Sequence, residues 1–447
     1  VSDSDNCARQ QRARYHLAWR WHFYAGLVVL PFLLILAATG LVMVYNSSLA
    51  SPSGPVLSVA PADTVHDASA LLYSAQRAVP DGRATQYAPP ANSQATAQVV
   101  FDTAQGAVVA DLDPYRNTVL RLANRDRSVY AWAHRIHGTL LLGEVGDFII
   151  ETVAGLTLLL VVTGLYMWWL RRDSSSGGRR ASWLRWHRSS GLYAALGLLF
   201  FLLSGLAWTN VWGGKMVQAW GSFPAEKWGP VGLSTDTHSA MNHGSQREVP
   251  WGLEQTPMPA SHVGHARTPL PLAEVQARAE ALGFGPRYRI NLPADSEGVY
   301  TLSANTMSGD IRDPRHERTV HLDQYSGEVL GEVGFADYSL LAKSMAAGVG
   351  LHQGSLGPLN SAFNALACLV VIFLCFSGAW MWWLRRPSRV SGLRAPPRPL
   401  PPPGRNGMAL ILLLCGLAFP LLGLALLTGI ALDRLYLRRK ELLPQSR

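Results

Sequence analysis

Charge is what this sequence is short of. Only 15% of its 447 residues are Asp, Glu, Lys or Arg, where a soluble domain usually carries about 25%. With 48% hydrophobic residues and fifteen tryptophans, the chain reads as a membrane protein with substantial soluble parts. Cysteine is scarce as well. Of four, Cys368, Cys375 and Cys415 fall in apolar runs and Cys7 in a polar N-terminal stretch, so packing explains the three buried thiols. No CxxC or CxxCH occurs, which excludes covalent c-type haem attachment and gives no sign of a disulfide framework. A P-loop, a dinucleotide fingerprint, HExxH and a nucleophilic triad are all absent. The net charge of +9 sits beside apolar runs, where basic residues signal topology, so no nucleic-acid partner is expected.

The apolar runs are long. A bilayer core needs roughly 20 apolar residues as a helix, and five stretches qualify. They set the expected organisation: a cytoplasmic N-terminal segment (1–24), a first span (25–45), an external module (46–146), a second span (147–170) and a cytoplasmic linker (171–189). A third span (190–212), an external loop with a second module (213–358) and a fourth span (359–384) follow. A cytoplasmic proline-rich linker (385–407), a fifth span (408–432) and a tail (433–447) complete the chain. The first run exceeds the roughly 7–15 residues of a secretory h-region, so it reads as a retained anchor. Pro420 is expected to kink the fifth span. Arg171, Arg172, Arg179, Arg180, Arg185 and Arg188 crowd one linker, and Arg385, Arg386, Arg389, Arg394, Arg398 and Arg405 the other. Both are therefore cytoplasmic, and the two long connections lie outside, in the periplasm of a bacterium. Arg438, Arg439 and Lys440 then fall on the wrong side of a spanning fifth helix.

The chain repeats itself. TGLYMWWLRR (163–172) closes the second span and SGAWMWWLRR (377–386) the fourth; ATGL (38–41) and LSGL (203–206) lie late in the first and third. Such a parallel repeat predicts a membrane protein that is mainly α: a pseudo-two-fold four-helix transmembrane bundle plus a fifth helix, with two periplasmic α+β modules. In the modules, QVVFDTAQGAVV (98–109) and TVHLDQYSGEVL (319–330) read as matching hairpins, preceded by helix-like stretches at 68–79 and 271–283. Residues 213–265 look irregular. His238, His243, His262 and His265, with Met241 and Met258, read there as a solvated polar loop, because their spacing is too loose for a zinc site. Trp212, Trp220, Trp228 and Trp251 fit either a ligand cleft or interfacial anchoring.

Four histidines flank the spans: His22 in WHFYAG, His187 in WHRSSG, His137 in IHGTLLLG and His352 in LHQGSLG. A ligating side chain at a membrane span is costly and usually functional. Neutral imidazole is an axial haem ligand, and a bundle can clamp a cofactor between facing helices. The repeat and the arginines pair His22 with His187 at the cytoplasmic face and His137 with His352 at the outer face. From His22 to Gly40 a helix rises about 27 Å, so one haem per face would connect the two sides. His134 rivals His137, and His16 rivals His22. Arg135, Arg185 and Arg188 are candidate propionate partners. The plain alternative is interfacial histidines that cap helices.

At these residues the chain resembles the PepSY-associated transmembrane family. These iron-regulated inner-membrane proteins include periplasmic ferric-siderophore reductases of the FoxB type. WHFYAG, HRIHGTLLLG, TGLYMWWLRR, WHRSSGLYAALGLLFFLLSGLAW, LHQGSLG and SGAWMWWLRR carry the resemblance, which covers about 15–386. The hairpins resemble PepSY modules. The resemblance implies two haem b groups on His22, His187, His137 and His352. It also implies a cytoplasmic or quinol electron donor and a ferric siderophore reduced in the periplasm to release Fe(II). The fifth span and proline-rich linker have no role in it. Two other readings stand beside it: a cytochrome b subunit serving a partner protein or quinone, and a non-enzymatic PepSY-type peptide-binding or regulatory membrane protein.

Overall fold

A computed structural model describes residues 3–49, 57–170, 178–244, 246–262, 268–385, 396 and 405–442. Arg171, Arg172, His265 and nearly all of the proline-rich linker lie outside the described residues. In chain order the elements are α1 (Asp3–Leu49), α2 (Ala68–Ala78), β1 (Arg83–Ala88), β2 (Ala97–Thr103), β3 (Gly106–Asp113), β4 (Thr118–Asn124), α3 (Val129–Thr139), α4 (Gly143–Leu170) and α5 (Arg179–Leu206). A π-helical turn (Asn210–Val217) leads to α6 (Gln218–Gly221), β5 (Leu233–Thr237), β6 (Pro257–Pro259) and α7 (Leu272–Ala281). Then come β7 (Arg289–Asn291), β8 (Val299–Ala304), β9 (Arg318–Asp323), β10 (Val329–Gly334), α8 (Leu340–Gln353), α9 (Pro358–Arg385), α10 (Arg405–Ala418) and α11 (Pro420–Leu442). The chain divides into a helical unit (Val1–Thr39, Ile136–Met216, Leu366–Arg447) and a sheet unit (Gly40–Arg135, Val217–Ala365).

Among the described residues, four helices are long and apolar enough to cross a membrane: Arg9–Asn46, Gly143–Leu170, Arg179–Leu206 and Pro358–Arg385. They run longer at their N-termini than the apolar runs suggest, so His22 and His187 lie inside α1 and α5 rather than at their ends. The expected fifth span is not one helix. The chain breaks at Phe419, because Pro420 has no N–H to donate and cannot continue the ladder. The turn is sharp enough that a Cβ on Gly423 would fall 2.5 Å from the Gly416 Cα. Leu422 and Leu426 of α11 then pack with Val153 and Leu156 of α4 and with Ala25 and Val29 of α1. Two acids, Asp147 and Glu151, are buried in α4. They accept the backbone N–H groups of Asn210 (3.0 Å), Val211 (3.2 Å) and Trp212 (3.2 Å), donors the start of the π-helical turn leaves open.

The sheet unit holds an eight-stranded sheet in the order β10-β9-β8-β7-β1-β2-β3-β4, antiparallel throughout. Each half is one helix and a four-stranded meander, and β1 joins β7 through Gln86 opposite Asn291. Leu71 and Ala75 of α2 and Val275 and Ala279 of α7 bury in the same apolar core as Phe101, Leu112, Ile290, Leu302 and Leu322. The halves do repeat, but in a different register from the expected one. The stretch 98–109 is the β2–β3 hairpin, whereas 319–330 is β9–β10, whose counterpart is β3–β4. The turns show it. Asp113 accepts the N–H groups of Tyr115 and Arg116 (2.8 and 3.1 Å), and Asp323 those of Tyr325 and Ser326 (both 2.9 Å). The tyrosine hydroxyls then donate to Ser93 O (2.8 Å) and Ser296 O (2.9 Å). Asn117 and Gly327 take the left-handed position of each turn, with φ of 51° and 69°.

Candidate functional site

Three of the four flanking histidines sit on hydroxyls supplied by the repeated Thr-Gly and Ser-Gly pairs. His22 Nδ1 lies 3.0 Å from Thr163 Oγ1, His187 Nδ1 lies 2.7 Å from Ser377 Oγ, and His137 Nδ1 lies 3.0 Å from Thr39 Oγ1. Each hydroxyl has already committed its own proton to its helix. Thr163 donates to Leu159 O (2.6 Å), Thr39 to Ile35 O (2.7 Å) and Ser377 to Leu374 O (3.1 Å). A hydroxyl has one proton, so one that donates to its helix carbonyl accepts from the imidazole. That arrangement puts the imidazole proton on Nδ1 and leaves the lone pair on Nε2. This is how a metal-ligating histidine is usually oriented and made more basic by its partner.

The glycines after Thr163 and Ser377 face the rings, and the first stands close enough that a side chain there would crowd the imidazole. A Cβ on Gly164 would stand 3.3 Å from His22 Cε1, and one on Gly378 would stand 3.7 Å from His187 Cε1. His22 and His187 both belong to the helical unit, and each leans on a hydroxyl of the apolar helix that closes its own repeat half. His137 is held at a different level. Thr39 lies 17 residues beyond His22 on α1, a rise of about 26 Å. Ser204, in the LSGL counterpart of ATGL, keeps the same helix bond, to Phe200 O at 2.7 Å.

The fourth histidine, His352, ends α8 in the sheet unit. Asn364 ties that end down by donating to the carbonyls of Leu351 and His352 (both 2.8 Å). Burial holds the His352 imidazole neutral, pulling its pKa down to about 4. The chain leaves His352 through Gly354 and Gly357, with φ of 76° and 135°, but leaves His137 through Leu140 and Leu141 at 52° and 62°. Bulky residues there are strained by about 1–2 kcal/mol each, so the first copy holds its turn against a cost that glycine removes in the second.

The rivals sit differently. His134 stacks on Tyr130 (centroids 6.2 Å apart) rather than on a hydroxyl–glycine pair, and burial, with Arg247 nearby, lowers its pKa. His16 lies against Trp19 and Tyr15, and its buried Nδ1 has no hydrogen-bond partner. Arg135 donates to Asp126 O (3.2 Å) and covers the Trp132 ring. Arg185 donates to Ser182 Oγ (3.2 Å).

The segment 213–265 overturns the expectation of a solvated loop. His238 is fully buried and His243 nearly so, while His262 is exposed and bonds Asp323. Trp228 and Trp251 are buried and Trp220 is exposed. Burial against strands 80 residues away converts polar side chains into internal ones, and local composition cannot reveal it. Beside the β1–β7 junction, Glu248 receives Arg125 (3.0 Å), Arg289 and Gln86 (3.3 Å), and Arg289 also holds Asp310 (3.0 Å). Burial alone would raise the Glu248 carboxyl, but the guanidiniums of Arg125 and Arg289 hold it down at about 2.

Thr39, Thr163 and Ser377 escaped the sequence reading, although their motifs were visible as repeats. A hydroxyl followed by glycine late in each span was the available signal. Its meaning depends on histidines 98 to 190 positions away. In comparison with known proteins, the profile of the PepSY-associated TM region matches residues 19–385. No curated protein matches the chain.

Proposed function

Starting from a chain that belongs to the PepSY-associated transmembrane family, we propose a di-haem b-type electron-transfer protein of the bacterial inner membrane. It reduces Fe(III) in periplasmic ferric siderophores and so releases Fe(II). The observation that carries this reading is the set of hydroxyl seats, which present imidazole Nε2 lone pairs at two levels of the helical unit.

His22 and His187 would hold one haem, and His137 and His352 the other, the second pair following from the sequence repeat. The spans would form a pseudo-two-fold four-helix bundle, and the two halves of the sheet would be PepSY-type modules facing the periplasm. A porphyrin suits such a donor set because it brings its own equatorial nitrogens. Among the described residues, no three or more His, Cys, Asp or Glu gather to hold a bare ion. Held by these histidines, haem would supply reversible one-electron transfer. The protein's part is to fix the ligands. Thr163 and Ser377 keep the protons of His22 and His187 on Nδ1, and Thr39 does so for His137. No side chain in these seats has to gain or lose a proton when an electron passes. The donor is a cytoplasmic reductant or quinol. Siderophores hold Fe(II) far more weakly than Fe(III), so one electron loosens the metal. A helix break at Pro420 in place of a fifth crossing would leave the tail on the cytoplasmic side, as its basic sequence asks.

The test is a reoxidation assay. Purified protein in detergent, reduced anaerobically, is mixed with a ferric hydroxamate siderophore and an Fe(II) trap. Reoxidation of the haem spectrum with stoichiometric trapped Fe(II) is expected. A reduced spectrum that persists across ferric siderophores would remove the reductase assignment.

A further inference from the structure

The sheet unit contains a second pair of histidines that the proposed electron path does not use. His238 and His321 are completely buried, and their Nε2 atoms face each other at 3.0 Å. Both Nδ1 atoms are anchored from behind. His238 Nδ1 lies 2.6 Å from Thr256 O, which can only accept, so its proton is on Nδ1 and its Nε2 carries a lone pair. His321 Nδ1 lies 2.9 Å from Thr301 Oγ1, which can donate or accept. Two Nε2 lone pairs cannot face each other across 3.0 Å unaided, so something electrophilic sits between them: a proton on His321 Nε2, or a metal ion.

Several features favour the ion. Trp228 closes the site, stacked on the His238 ring (centroids 5.8 Å apart, planes 20° apart) and edge-on to His321 (5.1 Å). A cation between the imidazoles would lie beside that indole, a favourable place for positive charge. Imidazole nitrogens are donors that suit copper. The number of donors selects the ion further. Zinc is almost always four-coordinate, and among the described residues no third histidine, carboxylate or thiolate joins these two to hold an ion. A monovalent d10 ion accepts two nitrogens in line.

We infer that His238 and His321 form a two-coordinate site for Cu(I), separate from the membrane histidines. Binding needs one proton to relocate and none to leave. The His321 proton moves from Nε2 to Nδ1, Thr301 turns from donor to acceptor, and the site gains one positive charge. Two metal–nitrogen bonds of about 2 Å in line need roughly 4 Å between the nitrogens, so the rings part by about an ångström beneath Trp228.

The experiment titrates the full-length protein in detergent, under anaerobic conditions, with Cu(I) against a chromophoric Cu(I) chelator; Ag(I) serves as the redox-silent probe. One Cu(I) per chain and quenching of tryptophan emission that is absent in Trp228→Phe are expected. His238→Gln and His321→Gln should abolish binding. Thr301→Val, which keeps both Nε2 atoms but removes the outer support of His321, should weaken it about 10–100-fold. Binding should persist in His22→Ala and His187→Ala, which separates this site from the proposed haem sites. Failure to bind either ion, or binding that survives both glutamine variants, would leave a shared proton as the occupant and overturn the inference. Loss of binding in the His22 or His187 variants would overturn it as well. Should the glutamine variants fail to fold, X-ray absorption of the Cu(I)-loaded wild-type protein decides. Scattering from two imidazoles supports the site, and its absence refutes it.

Discussion

Replacing Thr163 with valine removes one hydroxyl at nearly constant volume. In the structure that hydroxyl accepts from His22 Nδ1 at 3.0 Å and donates to Leu159 O at 2.6 Å. In Thr163→Val the carbonyl keeps its helical N–H partner, but the imidazole proton has no acceptor. Leaving a buried donor unsatisfied costs about 1–3 kcal/mol, which is about 5- to 150-fold in affinity. Loss of an outer-shell partner elsewhere weakens metal ligation by about 10–100-fold, the same range. The ring can recover only by moving its proton to Nε2, which takes away the lone pair that would bind iron. Either course weakens the ligand. The assay is transfer of haem from the purified protein to excess apomyoglobin, with a potentiometric titration alongside. Faster loss of one of the two haems is expected, and any retained haem should have a raised potential, because its imidazole donates less charge to Fe(III). Thr163→Ser, which keeps the hydroxyl, should behave as wild type. Equal haem loss and equal potential in the valine and wild-type proteins would refute the seat, whatever happens to the melting temperature.

The glycines of the two seats should respond unequally. Gly164→Ala places a methyl 3.3 Å from His22 Cε1 and should displace the ring, which absorption and electron paramagnetic resonance of the oxidised protein would register. Gly378→Ala places it at an ordinary 3.7 Å and should leave the spectrum intact, while gaining up to about 1 kcal/mol of helix propensity. In the sheet unit, Glu248→Gln leaves Arg125 and Arg289 buried without their shared anion, a loss of about 3–5 kcal/mol measurable by denaturant unfolding of the full protein. The carboxyl's folded pKa, about 2, lies below its ordinary value of 4.5. Its stabilisation is therefore complete above pH 4.5 and disappears as pH falls toward 2. Unfolding measured across pH 2–6 should show a steeper decline in wild type than in Glu248→Gln, where Asp323, also held down at about 2, still contributes.

What the sequence revealed depended on how local each signal was. The four long apolar helices were legible because a membrane solvent demands an uninterrupted run. One hairpin in each half of the sheet was legible because alternation and an Asp-containing turn are short-range features. The register of the module repeat was not, because two neighbouring hairpins, 98–109 and 110–121, share alternation. Only the Asp113 and Asp323 turns, with Asn117 and Gly327 in matching left-handed positions, distinguish them. Pro420 was visible, but whether it bends a span or ends it depends on the close approach of Gly416 and Gly423, where small residues let backbones touch. Among the site residues, the histidines were legible as a repeated pattern. The hydroxyls that set their tautomers were not, because a threonine bonded to its own helix has the same sequence whether or not an imidazole leans on it. The burial of His238 and His321 was equally hidden, being a property of strands and loops that meet only in three dimensions.

The central claim is that these histidines ligate two haems, and a pyridine haemochrome count on the purified protein tests it most directly. Wild-type protein should carry two b-type haems per chain. His22→Ala and His187→Ala should each retain one and lose the same one, identified by its potential. His137→Ala and His352→Ala should each lose the other, and His134→Ala should retain both. A protein with no Soret band, or one whose haem count is unchanged across the four ligand variants, would contradict the account.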